Sequence, residues 1–167
     1  MERGTWTGES WTDKGRVADV LARYEGWHPI VRGLIEAFPE TYVWALHDRA
    51  ELPRWSDGCV TLLGDSCHPM LPMMAQGAAQ SIEDGATLAS LLGAMNGDLK
   101  EVLRRYEDTR KPRASRLQQA SAANRTRFHL QDGPGQQARD AAMAASGDRS
   151  MANIGWLYAH DASDVSR

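Results

Sequence analysis

The chain is poor in cysteine, poor in phenylalanine and without a long apolar run. Its two cysteines, Cys59 and Cys67, are too few for a disulfide framework and lack the spacing of metal ligands, so both read as reduced thiols. No stretch approaches the roughly 18 to 20 apolar residues that a membrane-spanning helix needs, which argues against a membrane partner. The opening MERGTWTGESW has no positive segment followed by an apolar one, so the chain reads as unprocessed, with the cytoplasm as the expected compartment. Charge of either sign is not in excess. With 19 Lys+Arg against 22 Asp+Glu and a net charge of −3, nothing calls for nucleic acid as a partner.

What is present suffices for one ordinary globular domain: 167 residues, 42% of them apolar and 25% charged. Tryptophan is abundant, with six copies. Trp6 and Trp11 stand in a Thr/Gly-rich opening that reads as the end of a strand, as though the chain starts inside a domain.

Helices dominate the pattern. In residues 15–25, Val17, Val20, Leu21 and Tyr24 recur at helical spacing, with Asp13 as the expected N-cap. Pro29 suits the first turn of a second helix whose apolar face is Ile30, Val31, Leu34, Ile35 and Phe38, and Pro39 stops it. TYVWALHD, residues 41–48, reads as a strand. CVTLLGD, residues 59–65, reads as a strand buried on both faces. Residues 76–93 read as a helix with Ile82, Leu88, Leu91 and Leu92 inward. A long helix is expected from 98 to about 127, with Leu99, Val102, Leu103, Tyr106 and Leu117 on one side and a solvated Lys/Arg face on the other.

From residue 131 the composition turns to Gly, Ala, Gln and Asp, and the segment reads as a linker with a weakly ordered tail. Gly133 to Ala138 spells the letters of a dinucleotide-binding turn, but no buried strand precedes it, so that reading is rejected. The closing NIGWLYAHDAS reads as an aromatic patch docked on the body.

The stretch LLGDSCHPMLPMMAQGAAQSIEDG, residues 62–85, has the most chemical content. A strand that ends in Gly64-Asp65 delivers a carboxylate to the carboxyl end of a sheet, where ligands of α/β folds sit, and glycine permits close approach to the backbone. Pro69 and Pro72 stiffen the following loop, while Met70, Met73 and Met74 offer an apolar surface to a flat ligand. Gln76, Gly77, Ala78 and Ala79 then open a helix with small residues, whose N–H groups face an anion or a carbonyl. The bland reading is a plain strand-loop-helix connection with Asp65 as a turn residue.

Gly64-Asp65-Ser66-Cys67-His68-Pro69, Pro72, Gln76-Gly77, Ile82-Glu83-Asp84-Gly85 and Leu88-Ala89 closely resemble the second FAD-binding motif of the single-component flavoprotein aromatic hydroxylases. The branch that includes salicylate hydroxylase and 6-hydroxynicotinate monooxygenase is the most similar. Glu9-Ser10-Trp11, Trp27-His28-Pro29, Trp44-Ala45-Leu46, Asp48-Arg49 and Leu52-Pro53-Arg54-Trp55 agree with it, and the likeness covers roughly residues 5–130.

The resemblance implies that Asp65 binds a ribityl hydroxyl of FAD, with Gly64 allowing close approach. It places Pro72 beside the isoalloxazine and the substrate, with Met73 also lining the substrate side. It gives the N–H groups of Gly77, Ala78 and Ala79 to the pyrimidine edge, with Gln76 beside them, and leaves Glu83 and Asp84 to cap and orient the helix. No metal is implied. The implied activity is hydroxylation of a small aromatic substrate by O₂, with NADH or NADPH reducing FAD.

The expected fold is α/β, an α+β fragment: the mostly helical C-terminal part of such an enzyme, with one or two strands and without the N-terminal dinucleotide-binding unit. Residues 1–55 would end the substrate-binding sheet region, 56–130 would carry the Gly-Asp strand, loop and helices, and 131–167 the tail. The chain is expected to be truncated and inactive by itself, with a separate N-terminal half of the enzyme as a partner. The alternatives are a non-catalytic remnant or interaction module that keeps the FAD-contact motif, and a thiol-dependent enzyme using Cys67 and His68.

Overall fold

The computed structural model describes residues 10–94, 97–146 and 155–165. Trp6 and Glu9 lie outside them. The chain forms two compact units, Met1–Leu46 and His47–Arg167.

In the first unit, β1 (Lys14–Gly15) pairs antiparallel with β2 (Thr41–Tyr42), bringing Lys14 opposite Tyr42 and Gly15 opposite Thr41. Between them run α1 (Val17–Arg23) and α2 (Pro29–Glu36). Asp13 does not cap α1. Its carbonyl accepts the Val43 N–H at 3.0 Å as part of the ribbon, and Arg16 occupies the cap position without a side-chain bond. Pro29 does open α2, where His28 Nδ1 accepts the Ile30 N–H at 3.3 Å. The Arg32 guanidinium joins the two helices by donating to the Leu21 and Tyr24 carbonyls, 3.2 and 3.1 Å away. Of the expected 41–48 strand, Thr41–Tyr42 pairs with β1, and the Val43 N–H bond to the Asp13 carbonyl is the last rung toward its C-terminal end.

The second unit starts with a hairpin of β3 (Ser56–Asp57) and β4 (Val60–Thr61), closed through Gly58 at φ 59°. The expectation of a strand buried on both faces fails here. β4 has one two-residue partner, and Val60 is 69% exposed. The hairpin is tied to the helices instead, since Ser56 N–H donates to Glu107 Oε2 at 2.8 Å and Tyr106 Oη donates to the Leu62 carbonyl at 3.2 Å.

Two long helices follow, α3 (Gly77–Ala94) and α4 (Leu99–Phe128), and Asp98 caps α4 by accepting the Lys100 N–H at 3.1 Å. The core gathers Trp55, Cys67, Leu91, Val102, Tyr106 and Ala114, with Leu52, Leu62, Leu88 and Val165 packed on it. The inward face of α3 is mostly polar, with Gln80, Asp84 and Thr87 buried beside Leu91. Ile82, expected inside, is 73% exposed, and Leu92 is exposed as well. The basic side of α4 departs from expectation in the same way, because Arg110 is fully buried.

α5 (Pro134–Ser146) lies in the segment that reads as a linker, and Gly133 directly precedes it. The aromatic patch docks as expected. Leu157 is buried, Arg113 donates to the Trp156 and Leu157 carbonyls at 2.9 and 2.8 Å, and the Arg116 guanidinium lies 3.7 Å from the Trp156 ring centroid. Farther on, Thr87 Oγ1 donates to the Ala162 carbonyl at 2.8 Å. No described helix is long and apolar enough to cross a membrane.

Leu117 is fully buried on α4, so Leu117→Ala should cost about 2–5 kcal/mol of unfolding free energy in urea titrations. Ile82→Ala, on an exposed position, should stay within about 0.5 kcal/mol of the parent chain.

Candidate functional site

The chain leaves β4 through Leu62 and Leu63 and enters a 3-10 turn, Gly64–Ser66. Gly64 has φ 65°, and a Cβ there would sit 2.7 Å from Ser81 Oγ, so both conformation and space require glycine. The turn is held on every side. The Gly64 carbonyl accepts the Cys67 and His68 N–H groups at 3.0 Å each and the Cys67 thiol at 3.2 Å. Ser66 Oγ donates to the Leu63 carbonyl at 2.7 Å, and the Arg49 guanidinium donates to the Ser66 carbonyl.

This packing leaves Asp65 exposed, and its carboxylate points toward the start of α3. Oδ1 is 4.0 Å from the position a Cβ on Gly77 would take.

The loop from Pro69 to Ala75 is fastened to α4 by side-chain donors. Gln118 Nε2 donates to the Pro69 carbonyl at 3.0 Å, Ser121 Oγ to the Leu71 carbonyl, and Asn124 Nδ2 to the Met73 carbonyl at 3.2 Å. Pro72 is exposed and Met73 is half-buried, within the 3-10 turn Pro72–Met74. Ala75 ends that turn in the left-handed region at φ 52°, a conformation that alanine rarely adopts. Gln76 is buried, and its carbonyl accepts the Gln80 N–H at 2.9 Å, so α3 starts at Gly77. The N–H groups of Gly77, Ala78 and Ala79 therefore occupy the first turn. Groups there have no intrahelical acceptor and carry the positive end of the helix dipole. The structure thus brings Asp65 and Gly77 together and follows the Pro72–Met74 turn directly with the helix start.

Behind this surface lies a buried ionic cluster. Asp84 is fully buried: Oδ2 accepts the Gly64 N–H at 2.9 Å and lies 2.6 Å from His68 Nε2, while Oδ1 accepts Arg110 Nε at 2.8 Å. Arg110 also donates to Glu83 Oε2 at 2.6 Å and to Gln80 Oε1 at 2.7 Å, and Arg113 holds both oxygens of Glu83 at 2.7 and 2.8 Å. Burial pushes the Asp84 carboxyl up, but the hydrogen bonds from His68, Arg110 and Gly64 outweigh it and hold the group below its ordinary value. Burial likewise raises Glu83, and Arg113 and Arg110 bring it below the usual range. Glu83 and Asp84 therefore do not cap α3. They tie it to α4, and Asp84 ties it to the Gly64 turn.

Cys67, His68 and Asp84 place one ligand-type atom each within 4.8 Å of the others. As a metal site the set fits poorly, because Arg110 and His68 already occupy both Asp84 oxygens. Burial, then the nearby Asp84 charge, pushes the Cys67 thiol up to about 12, far from the thiolate that a metal or a nucleophile requires. The thiol-dependent alternative falls on the same ground. A groove of about 570 Å³ lined by Glu51, Glu107, Lys111 and Arg116 shares no residue with the Asp65 turn or the α3 start.

Sequence reasoning missed Arg49, Arg110, Gln118, Ser121 and Asn124. The signal for the last three was present, since polar residues at 118, 121 and 124 keep to one side of a helix beside the buried Leu117.

Two outcomes follow from the cluster. Asp84 and Glu83 have folded values below their ordinary ones, near 3.8 and 4.5. Their contribution to stability is complete above those values and is lost as pH falls through the lower folded ones, so thermal unfolding followed from pH 6 downward should show a steep loss starting below about pH 4.5. Cys59 is exposed and Cys67 buried, so a thiol reagent should label one cysteine in the native chain and the second only after denaturation.

Compared with known proteins, residues 9–121 match the family model described as FAD binding domain. The chain is 41% identical over 160 residues to a 3-amino-4-hydroxybenzoate 2-monooxygenase of Streptomyces platensis, covering 96% of this chain and 40% of the relative. It is 48% identical over 118 residues to the 6-hydroxynicotinate 3-monooxygenase of Bordetella bronchiseptica, covering 70% of this chain and 30% of the relative. Among solved structures, a salicylate hydroxylase substrate complex superposes with a TM-score of 0.82 at 28% identity, covering 99% of this chain and 40% of that one. The mostly helical architecture with few strands is thus part of a flavin hydroxylase fold, and the chain spans 30 to 40% of the length of these curated relatives. With the family model matched over well more than half of its residues, the protein belongs to the FAD binding domain family, alongside the FAD-dependent aromatic monooxygenases.

Proposed function

We propose that this chain forms the part of an FAD-dependent aromatic hydroxylase that contacts the ribityl chain and the ring of the flavin, and that it acts within a longer flavoprotein or together with a separate N-terminal half. The observation that carries the reading is the exposed Asp65 carboxylate, turned toward the N-terminus of α3 by a glycine turn that admits no other residue. The relatives' coverage of 30 to 40% supports a role as one portion of a larger enzyme.

The residues fit the group. Asp65 accepts hydrogen bonds from ribityl hydroxyls, and a charged acceptor strengthens them. The first-turn N–H groups of Gly77, Ala78 and Ala79 would donate to the pyrimidine edge, with Gln76 beside them. Pro72 and Met73, on the loop that α4 fastens, would line the ring and the substrate, where a stiff apolar wall would exclude water from the reacting face. FAD held there would supply the redox chemistry of aromatic hydroxylation, with NADH or NADPH as reductant and O₂ as oxidant. In this reading residues 56–130 hold the flavin contacts, residues 1–55 complete the substrate side and residues 131–167 form the tail. Monooxygenases of an aminohydroxybenzoate and of a hydroxynicotinate among the relatives support a small, electron-rich aromatic substrate.

Flavin fragments test this directly. The chain should quench FMN fluorescence, and Asp65→Ala should weaken FMN binding by about 10- to 150-fold, the range for a charge-assisted hydrogen bond. Binding of lumiflavin, which has no ribityl hydroxyls, should not change. Equal FMN affinity in the parent chain and Asp65→Ala would refute the assignment.

A further inference from the structure

The flavin-facing turn depends on a residue that does not reach the flavin side of the structure. Gly64 is the first residue of its 3-10 turn, so the turn itself offers its N–H no acceptor. Asp84 Oδ2 supplies one at 2.9 Å from a position on α3 twenty residues later. That oxygen is itself fixed by His68 Nε2 at 2.6 Å, and the other carboxylate oxygen by Arg110 Nε at 2.8 Å. All three side chains are fully buried. Each belongs to a different piece of the chain: Asp84 to α3, Arg110 to α4, and His68 to the start of the loop. The carboxylate therefore has one allowed position, and the Gly64 amide takes its place from it.

We propose that Asp84 is the positioning residue of this turn: clamped by Arg110 and His68, it holds the Gly64 amide and so sets the direction in which Asp65 leaves the backbone. The proposal rests on the reading of Asp65 as the ribityl contact. Asp65 follows Gly64 immediately, and its backbone direction is decided by the Gly64 dihedral angles, which lie at a left-handed φ of 65°. An unanchored Gly64 can take many conformations, because glycine is the residue least restricted by sterics. Anchoring its N–H on one side, and its carbonyl on the Cys67 and His68 N–H groups on the other, removes that freedom before any ligand arrives. A preformed contact binds more tightly than one that must be ordered on binding.

A role that was only structural would loosen the α3–α4 junction as a whole, whereas a positioning role acts on the turn and on ribityl recognition. The 167-residue chain, labelled with ¹⁵N, separates the two. In the parent chain the Gly64 amide should be protected from hydrogen exchange despite heading a turn, and the His68 ring should carry its proton on Nε2. A Gly64 amide that exchanges without protection in the parent chain would overturn the proposal, with no variant needed.

In Asp84→Asn, the Gly64 protection should fall by about 10- to 100-fold relative to amides in the middle of α4. FMN affinity should fall in the same direction as in Asp65→Ala, with lumiflavin affinity retained. Leu117→Ala serves as the control for general loosening and should leave the Gly64 protection, relative to α4, where it is. Should Asp84→Asn not fold, Arg110→Lys keeps the positive charge but loses the forked geometry. It should show the same selective, smaller loss at Gly64. Loss of FMN and lumiflavin binding together, or a uniform rise in exchange across α3 and α4, would overturn the proposal. If Gly64 responds as expected while Asp65→Ala binds FMN normally, the ribityl reading fails and the positioning of the turn by Asp84 stands.

Discussion

The Asp84 carboxylate is the contact on which the second unit is organised. A charge taken out of water is expensive unless it is paired and hydrogen-bonded. Asp84 meets that requirement by recruiting one partner from each neighbouring element: Gly64 N–H, His68 Nε2 and Arg110 Nε. Removing one partner of such a buried pair typically costs about 3–5 kcal/mol, because the remaining charge is left uncompensated. Glu83, Gln80 and Arg113 extend the same network to the surface and to the carbonyls of Trp156 and Leu157. The polar centre thus does for this small unit what a larger apolar core does elsewhere, and it also demands specific geometry.

That demand is transmitted to the candidate site. One helix, α4, contributes Arg110 to the cluster and, farther along, Gln118, Ser121 and Asn124 to the carbonyls of the Pro69–Met73 loop. The loop carries Pro72 and Met73, and it ends in the left-handed Ala75, from which Gln76 leads into α3. The turn that carries Asp65 and the loop that carries Pro72 and Met73 are therefore both fixed by side chains of α3 and α4. A site built in this way has little freedom left to lose on binding.

The candidate-site motif could be picked out of the sequence because its residues are local. Gly64-Asp65, Pro72 and Gln76 to Ala79 lie within a short stretch, and their conformational needs, a left-handed glycine, a stiff proline and a small-residue helix start, are properties of the residues themselves. The two long helices were legible for a similar reason, since Asp98 caps α4 and small residues and leucines fill α3. Where the reading went wrong, pairing over distance decided the outcome. Ile82 and Leu92 look like core by spacing, but α3 turns Gln80 and Asp84 inward because Arg110 waits opposite them.

The strands show the same division. TYVWALHD and CVTLLGD have the composition of strands, and each contributes two residues to a ladder, because the length of a strand depends on what lies beside it and not on its own residues. By itself, the sequence determined where the two long helices run and which short stretch carries the candidate site, since these depend on sterics and hydrogen bonds between near neighbours. Only the tertiary structure decided that Arg110 is buried rather than solvated, that Glu83 and Asp84 brace the turn rather than cap a helix, and that Asp65 faces the start of α3. Each of those depends on which charge meets which across tens of residues, and a charge shows its partner only when the chain has folded around it.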